Sequence, residues 1–326
     1  MALPPELTPP DSPADWQLAL PTTMRGPATT LTRIGKGMSG AAVYRVDAGG
    51  ESFVLKLTSA DESLGPWQAR LEVQRAAAAA GLAPEVVHVD EARRAVLSTL
   101  VVDRSWPAYF GNPATRGAAI DALGRMLAQR AHLPTPPGMG RAEVRPVLQA
   151  MWNALSSDAT LPRFVHEVVT ALCAEPPVAQ GGPLVMSHND VNPSNLVFDG
   201  ARVLLLDWDT AAPNDPLYDL ATVAMFFRMD EGTCQQLVAA HDDAPVAELP
   251  AAFRYYRRCA AALSGVAAMS AARARGHVGI EIPADDTPTL GEIYQQLRAG
   301  TIDIQGVAGQ WTFGLALVKE AGALKR

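Results

Sequence analysis

The chain has few cysteines and no long apolar run, and each scarcity narrows the functions open to it. Cys173, Cys234 and Cys259 are odd in number and far apart in a chain of 326 residues, which argues against a disulfide framework or a zinc site. A reducing, cytoplasmic environment is the location that this cysteine usage favours.

Membrane and nucleic-acid functions are also disfavoured. No apolar stretch reaches the roughly 18 residues that a membrane span needs. The first thirty residues lack the basic start and apolar centre of a signal peptide. The 34 acidic residues outnumber the 27 basic ones, and neither residues 1–103 nor the remainder of the chain has the basic excess of a nucleic-acid binder. We therefore expect a soluble protein with no nucleic-acid or membrane partner, either a monomer or a homodimer.

Length and composition predict two lobes behind a tail. Hydrophobic residues make up 48% of the chain, which is ample for a core, and 326 residues exceed a typical single domain. Residues 1–30 are rich in proline and predict an N-terminal tail with one short helix near Trp16. Residues 31–103 have strand-like patterns, and residues 104–326 are mainly helical.

The rest of the chain is organised around residues 187–209, SHNDVNPSNLVFDGARVLLLDWD. An apolar run enters a loop rich in Asn, Pro and Ser, and a hairpin with a buried second strand then returns Asp207 toward this loop. We expect Asp190, Asn195 and Asp207 to converge. Oxygen ligands of this kind suit Mg²⁺, which usually takes one or two carboxylates plus substrate phosphates.

The spacing H-x-D-x-x-x-x-N, followed by a strand that ends in Asp, is typical of the catalytic and metal loops of kinases. A structural alternative stays open for the same residues. Asp190 and Asn195 are also suited to capping a loop, and Asp207 to capping a helix after a strand.

A glycine-rich segment lies between two predicted strands near the start of the regular part of the chain. Gly35, Gly37 and Gly40 fit G-x-G-x-x-G, but the residues that follow, AVYRV, indicate a strand. Dinucleotide-dependent oxidoreductases need a helix there, so this pattern disfavours them. A strand-loop-strand arrangement instead covers nucleotide phosphates with backbone N–H groups. An ordinary hairpin turn is the alternative.

The next strand, SFVLKL, places an ammonium in its middle. Alternation sends Phe53, Leu55 and Leu57 to one face and Lys56 to the other. A compact positive charge aimed at phosphate explains a lysine here, and a solvated strand face is the alternative. Glu72 follows on a predicted helix at a spacing compatible with an ion pair to Lys56, although a surface pair with Arg75 fits equally.

The patterns thus predict an α+β fold: a small lobe with a five-stranded antiparallel sheet and one helix, and a larger, mainly helical lobe. Two strands at Val86–Val89 and Ala95–Val102 complete the sheet. The exit segment contains Leu100 and Val102, whose backbone groups are candidates for contacting an adenine edge.

Together, GMSGAAVYRV, Lys56, Glu72, SHNDVNPSNLVF, LLLDWD and DPLYDLA resemble the aminoglycoside phosphotransferase and choline kinase superfamily, small-molecule kinases with a protein-kinase-like fold. The resemblance covers the chain from about Leu31. It implies transfer of the γ-phosphoryl group of ATP or GTP to an alcohol, with Mg²⁺ as cofactor.

The resemblance also assigns roles to individual residues. It implies that Asp190 is the catalytic base, that His188 and Asp219 brace its loop, and that Asn195 and Asp207 hold Mg²⁺. The nucleotide would be bound by the glycine loop, Lys56 and the exit segment, with Glu72 orienting the lysine; the residues concerned are Gly37, Ser39, Gly40, Lys56, Glu72, Leu100 and Val102. It implies a nucleotide-binding lobe at 31–103 and a catalytic and acceptor-binding lobe at 104–326.

The sequence does not identify the molecule that accepts the phosphoryl group. Acidic residues, among them Asp209 and Asp215, would suit an amine such as an aminoglycoside or choline, and Asp209 is equally a candidate for supporting the metal. Arg254, Arg257 and Arg258 beside two tyrosines would instead suit an anionic acceptor or form a charged helix face. A nucleotide-binding protein without catalysis, acting through partners, is the alternative to a kinase.

Overall fold

A five-stranded antiparallel sheet forms the amino-terminal part of the computed structural model, which describes residues 16–34, 42–59, 62–176, 178 and 182–325. Its strands are β1 (Thr30–Arg33), β2 (Ala42–Ala48), β3 (Glu51–Leu57), β4 (Val86–Asp90) and β5 (Ala95–Thr99). Across the sheet they lie in the order β1-β2-β3-β5-β4. Neighbouring strands are antiparallel throughout. The predicted sheet is confirmed.

The described residues also form helices and four further short strands. In chain order these elements are α1 (Leu64–Ala79), α2 (Trp106–Gly111), α3 (Arg116–Arg130), α4 (Val144–Asp158), α5 (Arg163–Ala174), β6 (Val185–Ser187), β7 (Leu196–Phe198), β8 (Val203–Leu205), β9 (Ala212–Asn214), α6 (Leu217–Phe226), α7 (Glu231–Asp242), α8 (Ala251–Ala274), α9 (Leu290–Ala299) and α10 (Val307–Ala323). Strand β7 pairs with β8, and β6 with β9. None of the helices in the described ranges has the length and apolar character needed to cross a bilayer.

The chain divides into two compact units. The first combines Met1–Gly140 with Ser194–Ala212, and the second combines Arg141–Pro193 with Pro213–Arg326. The first unit thus includes α2, α3 and the β7–β8 hairpin in addition to the sheet. The two lobes at residues 31–103 and 104–326 stay a prediction.

The two faces of the sheet in the first unit bury different residues. Phe53 and Leu55 of β3 lie in a core with Trp16 and Leu20, so the predicted tail contributes to this core from Trp16 onward. Helix α1 packs on the opposite face, where its Trp67 and Leu71 contact Val96 of β5. Lys56 is paired in register with Val96 and therefore belongs to the face that α1 covers.

Local signals set the ends of several helices. Pro66 stands in the first turn of α1, where its missing N–H costs nothing, and Gly81 ends the helical region with a φ of 74°. Helix α9 begins with a capping box, in which Thr289 and Glu292 bond each other's backbone N–H groups.

The core of the second unit is built around α8, which packs against α4, α6 and α10. Helices α8 and α10 approach closely where Gly265 faces Gly314. A Cβ on Gly265 would lie 2.7 Å from the carbonyl oxygen of Gly314 and 2.8 Å from Cγ2 of Val318. Glycine is therefore required here by the spacing of the two helices rather than by the backbone angle.

We predict that Gly265→Ala destabilises the protein by about 1–3 kcal/mol, because the added methyl forces two buried helices apart. The measurement is urea unfolding followed by circular dichroism. Gly232→Ala on α7 is the matched control: its Cβ would lie 4.0 Å from the nearest atom, so it should be neutral or slightly stabilising. Equal unfolding midpoints for the two variants would contradict the prediction.

Candidate functional site

Lys56 lies in the middle of β3, and its ammonium contacts two carboxylates of the first unit. Nζ lies 2.7 Å from Oδ1 of Asp207 and 2.6 Å from Oδ2 of Asp209. The lysine side chain is only 20% exposed, so both ion pairs are partly shielded from water. The predicted alternation of β3 is confirmed, and the solvated-face alternative for Lys56 does not hold.

The β7–β8 hairpin explains how Asp207 reaches the lysine. Strand β8 is buried along its length, and the N–H of Leu206 just beyond it donates to the carbonyl oxygen of Asn195 at 2.8 Å. Asp207 then takes a left-handed conformation with a φ of 60°, which turns the chain sharply into a 3₁₀ helix, Trp208–Thr210.

Trp208 fixes this 3₁₀ helix in place. Its side chain is 2% exposed, and its indole N–H donates to the carbonyl oxygen of Leu205 at 3.1 Å. Because Trp208 is anchored between them, the two acidic side chains on either side of it, Asp207 and Asp209, both reach the Lys56 ammonium.

The residues of the first unit fit a magnesium ion by the chemistry of their donor atoms. Asn195 is buried, and its backbone is bonded to the residue that precedes Asp207. An amide oxygen and a carboxylate are hard oxygen donors of the type that Mg²⁺ takes together with phosphates and water. The described ranges contain no group of three or more His, Cys, Asp or Glu side chains able to hold a metal.

Glu72 lies on α1 but does not meet Lys56. The helix directs Trp67, Leu71, Val73 and Ala77 to the core, and Glu72 is exposed. Within the described residues its carboxylate forms no ion pair, with Arg75 or any other cation. Lys56 instead forms ion pairs with Asp207 and Asp209. The sequence did not predict these pairs, although both aspartates belong to the segment 187–209.

The predicted nucleotide contacts are only partly described. The glycine-loop positions Gly37, Ser39 and Gly40 lie outside the described residues. In the exit segment, the N–H of Leu100 donates to the carbonyl oxygen of Ser52 at 3.2 Å, and Val102 is 74% exposed. Contacts of this segment with an adenine stay a prediction.

The loop that carries His188 is held by a buried carboxylate of the second unit. Asp219, near the start of α6, accepts hydrogen bonds from the backbone N–H groups of His188 at 2.7 Å and Asn189 at 2.9 Å. His188 and Asp219 are both 0% exposed. Asn189 has a left-handed φ of 65°, and its side-chain oxygen accepts from Nδ2 of Asn214 at 2.7 Å. The loop is thus fixed through its backbone.

Asp190 follows directly on this fixed segment. One carboxylate oxygen accepts from Nδ2 of Asn192 at 2.9 Å, and the N–H of Asn192 donates to the carbonyl oxygen of Asp190 at the same distance. The side chain is partly buried. A carboxylate on a rigid loop is suited to accept a proton from a hydroxyl.

Asp215 lies at a cavity of the second unit. It is 1% exposed, accepts from the N–H of Leu217 at 2.9 Å and bonds the hydroxyl of Tyr256. Burial, together with the negative charge of Asp215, raises the pKa of Tyr256 to about 12. The cavity has a volume of about 310 Å³, and its walls include Asp215, Tyr255 and Tyr256.

The three arginines of α8 are engaged within the second unit. Arg254 pairs with Glu231 at 2.6 Å, and Arg258 with Glu175 at 2.7 Å. Arg257 donates to the carbonyl oxygen of Met229 at 2.6 Å. Each of these guanidinium groups is thus bonded to another part of the second unit. The arginines therefore no longer favour an anionic acceptor.

The chain was compared with models of known protein families. Residues 30–263 match the model of a family described as the phosphotransferase enzyme family. No curated protein matches the chain.

Solved structures share the fold at low identity. A choline/ethanolamine kinase family protein from Mesorhizobium loti is 21% identical, with a TM-score of 0.60 over 95% of this chain and 98% of that one. A choline kinase from Streptococcus pneumoniae is 13% identical, with a TM-score of 0.57 over 89% and 92% of the two chains. A macrolide 2'-phosphotransferase from Brachybacterium faecium is 16% identical, with a TM-score of 0.56 over 78% and 89%. These similarities confirm the kinase-like fold and the resemblance drawn from the sequence.

We predict that Asp219→Asn destabilises the protein by about 1–3 kcal/mol, because an amide has one acceptor oxygen for two buried N–H groups and places a donor against them. Urea unfolding of the variant measures this loss. Asp285→Asn, an exposed Asp of the same unit, is the control and should leave the midpoint unchanged. A midpoint for Asp219→Asn equal to that of the control would show that the backbone bonds contribute little.

Proposed function

Because this chain belongs to the phosphotransferase enzyme family, we propose that it is a small-molecule kinase that transfers the γ-phosphoryl group of ATP or GTP to an alcohol hydroxyl. The observation that carries the proposal is the 2.7 Å contact between Nζ of Lys56 and Oδ1 of Asp207. This contact brings together the Lys56 ammonium, which is suited to bind phosphate, and the Asp207 carboxylate, which is suited to bind a metal ion.

The residues of the first unit would bind and orient the nucleotide phosphates. Lys56 supplies a compact positive charge with three N–H donors. Asn195 and Asp207 would hold Mg²⁺, which neutralises phosphate charge when bound. With few covalent changes for the protein to promote, most of the catalytic effect comes from positioning and charge.

In the second unit, Asp190 would act on the acceptor. The Asp190 carboxylate orients the attacking hydroxyl of the acceptor. It accepts the proton of that hydroxyl late in a loose transition state. His188 and Asp219 would be positioning residues, since the backbone bonds of the buried Asp219 carboxylate hold the segment that presents Asp190.

The acceptor is proposed only as a class: an aminoglycoside, a choline-like amino alcohol or another small hydroxylated metabolite. Asp215 and Tyr256 at the cavity of the second unit favour an amine. Arg141 and Arg145 also line that cavity, but Arg141 pairs with Glu143 at 3.0 Å, and Arg145 donates to the carbonyl oxygen of Cys173 at 2.6 Å. The panel used to identify the acceptor should therefore include neutral sugars as well as amines.

We predict that at least one hydroxylated amine or sugar increases ADP or GDP release by the purified protein, and that EDTA removes the increase. A coupled nucleoside-diphosphate assay with amino alcohols, aminoglycosides and sugars measures this, with the same compounds lacking a hydroxyl as controls. Mg²⁺-dependent nucleotide binding with no transfer and no slow hydrolysis would favour the alternative, a nucleotide-binding protein without catalysis.

We also predict that Asp190→Asn lowers kcat by ~10²- to 10⁴-fold while nucleotide affinity survives, because the variant loses the proton acceptor but none of the phosphate contacts. Steady-state kinetics and a nucleotide titration on the same preparation separate the two quantities. Asp285→Asn is the control for an acidic group away from the proposed machinery. Equal turnover of Asp190→Asn and the parent would remove Asp190 from the mechanism.

A further inference from the structure

Asp209 has no role in the reaction proposed above, yet it contacts Lys56 as closely as Asp207 does. The two carboxylate oxygens lie 2.6 and 2.7 Å from Nζ. We infer that Asp209 is a positioning residue, which holds the Lys56 ammonium in place for the nucleotide phosphates. The inference rests on the proposed function, because Lys56 is the proposed phosphate contact.

The position of Asp209 is set independently of the lysine. Trp208 precedes it, is almost completely buried, and bonds the carbonyl oxygen of Leu205 through its indole N–H. The 3₁₀ helix that contains both residues packs against α1. The backbone of Asp209 is therefore fixed, which allows its carboxylate to hold the flexible Lys56 side chain in one position.

The number of donors on the ammonium supports a division of roles. A lysine has three N–H donors, and two of them are accounted for by Asp207 and Asp209, which leaves one for a phosphate oxygen. Asp207 is also a proposed metal ligand, so its oxygens would be shared. The Lys56 contact of Asp209 is the pairing that does not compete with that task.

The expected partner of the lysine, Glu72, is not placed to do this. It is exposed on α1, while the lysine is partly buried on β3 and already paired. The Asp209 side chain is itself 38% exposed, so its advantage over Glu72 is the 2.6 Å contact with Nζ rather than deeper burial. The structure thus favours Asp209 over Glu72 for orienting Lys56.

The test compares ATP binding by the parent, Asp209→Asn, Glu72→Gln and Glu51→Gln, measured by calorimetry in Mg²⁺ without acceptor. We expect Asp209→Asn to weaken ATP binding about 10- to 100-fold, the loss typical of a charge-assisted hydrogen bond, and to raise the KM for ATP more than it lowers kcat. Glu72→Gln should have a smaller effect than Asp209→Asn. Glu51→Gln, at the exposed start of β3, is the control for a lost charge on the same strand and should bind ATP like the parent.

A double-mutant cycle separates positioning of Lys56 from a general structural role. If Asp209 acts through the lysine, Asp209→Asn should cause no further loss of ATP affinity in a Lys56→Met background. Additive losses would overturn the inference. Should Asp209→Asn fail to fold, as judged by circular dichroism, Asp209→Glu serves instead: it keeps the charge and should retain most of the affinity in the parent background.

Two further outcomes would overturn the inference. Unchanged ATP affinity in Asp209→Asn would show that the contact does not orient Lys56. Tighter binding would show that Asp209 holds the lysine away from phosphate. If the parent binds neither ATP nor GTP, the proposed function fails and the inference with it, so titrating the parent with both nucleotides first distinguishes the two failures; the one that binds is then used for the variants.

Discussion

A partly buried ammonium must be neutralised by nearby anions, and this constraint determines the arrangement of the first unit around Lys56. The lysine lies on a central strand of the sheet, whereas its two carboxylates belong to a segment about 150 positions later in the chain. The β7–β8 hairpin, the left-handed turn at Asp207 and the buried indole of Trp208 all serve to deliver negative charge to one point. The two ion pairs therefore link strand β3 to the segment that directly follows the β7–β8 hairpin.

The second unit relies on a different device, a buried carboxylate that is satisfied by backbone donors. The carboxylate of Asp219 accepts hydrogen bonds from the N–H groups of two consecutive loop residues. Bonds from N–H to an ionised acceptor are about twice as strong as neutral ones and compensate for the burial of the charge. Asp215 likewise accepts from a backbone N–H, that of Leu217, in addition to its bond with the Tyr256 hydroxyl, so both carboxylates stabilise turns next to α6.

Periodicity and turn chemistry were enough to predict much of the fold. The alternation of β3, the hairpin that precedes Asp207 and the helix that carries Glu72 follow from local rules that need no knowledge of distant contacts. The partner of Lys56 could not be predicted in this way, because sequence spacing gives the distance along α1 to Glu72 but not the direction in which the helix turns that side chain. Trp16 was assigned to a tail for a similar reason: the prolines around it are typical of irregular chain, and burial against a sheet is a tertiary effect. The arginines of α8 also required the structure, since each is bonded to a group remote in sequence.

The bonds from the backbone of His188 and Asn189 to Asp219 have a consequence for how this segment tolerates sequence change. Every non-proline residue offers the same N–H group, so this contact by itself places no demand on which side chain stands at either position. At Asn189 the left-handed backbone adds a separate restriction, one that asparagine, aspartate and glycine satisfy at little cost. At His188 and Asn189 the loop is therefore held by an aspartate about thirty positions away through groups that nearly every residue type supplies. This contact tolerates a change of side chain at either position for as long as that aspartate is retained, whereas the side-chain bond between Asn189 and Asn214 does not.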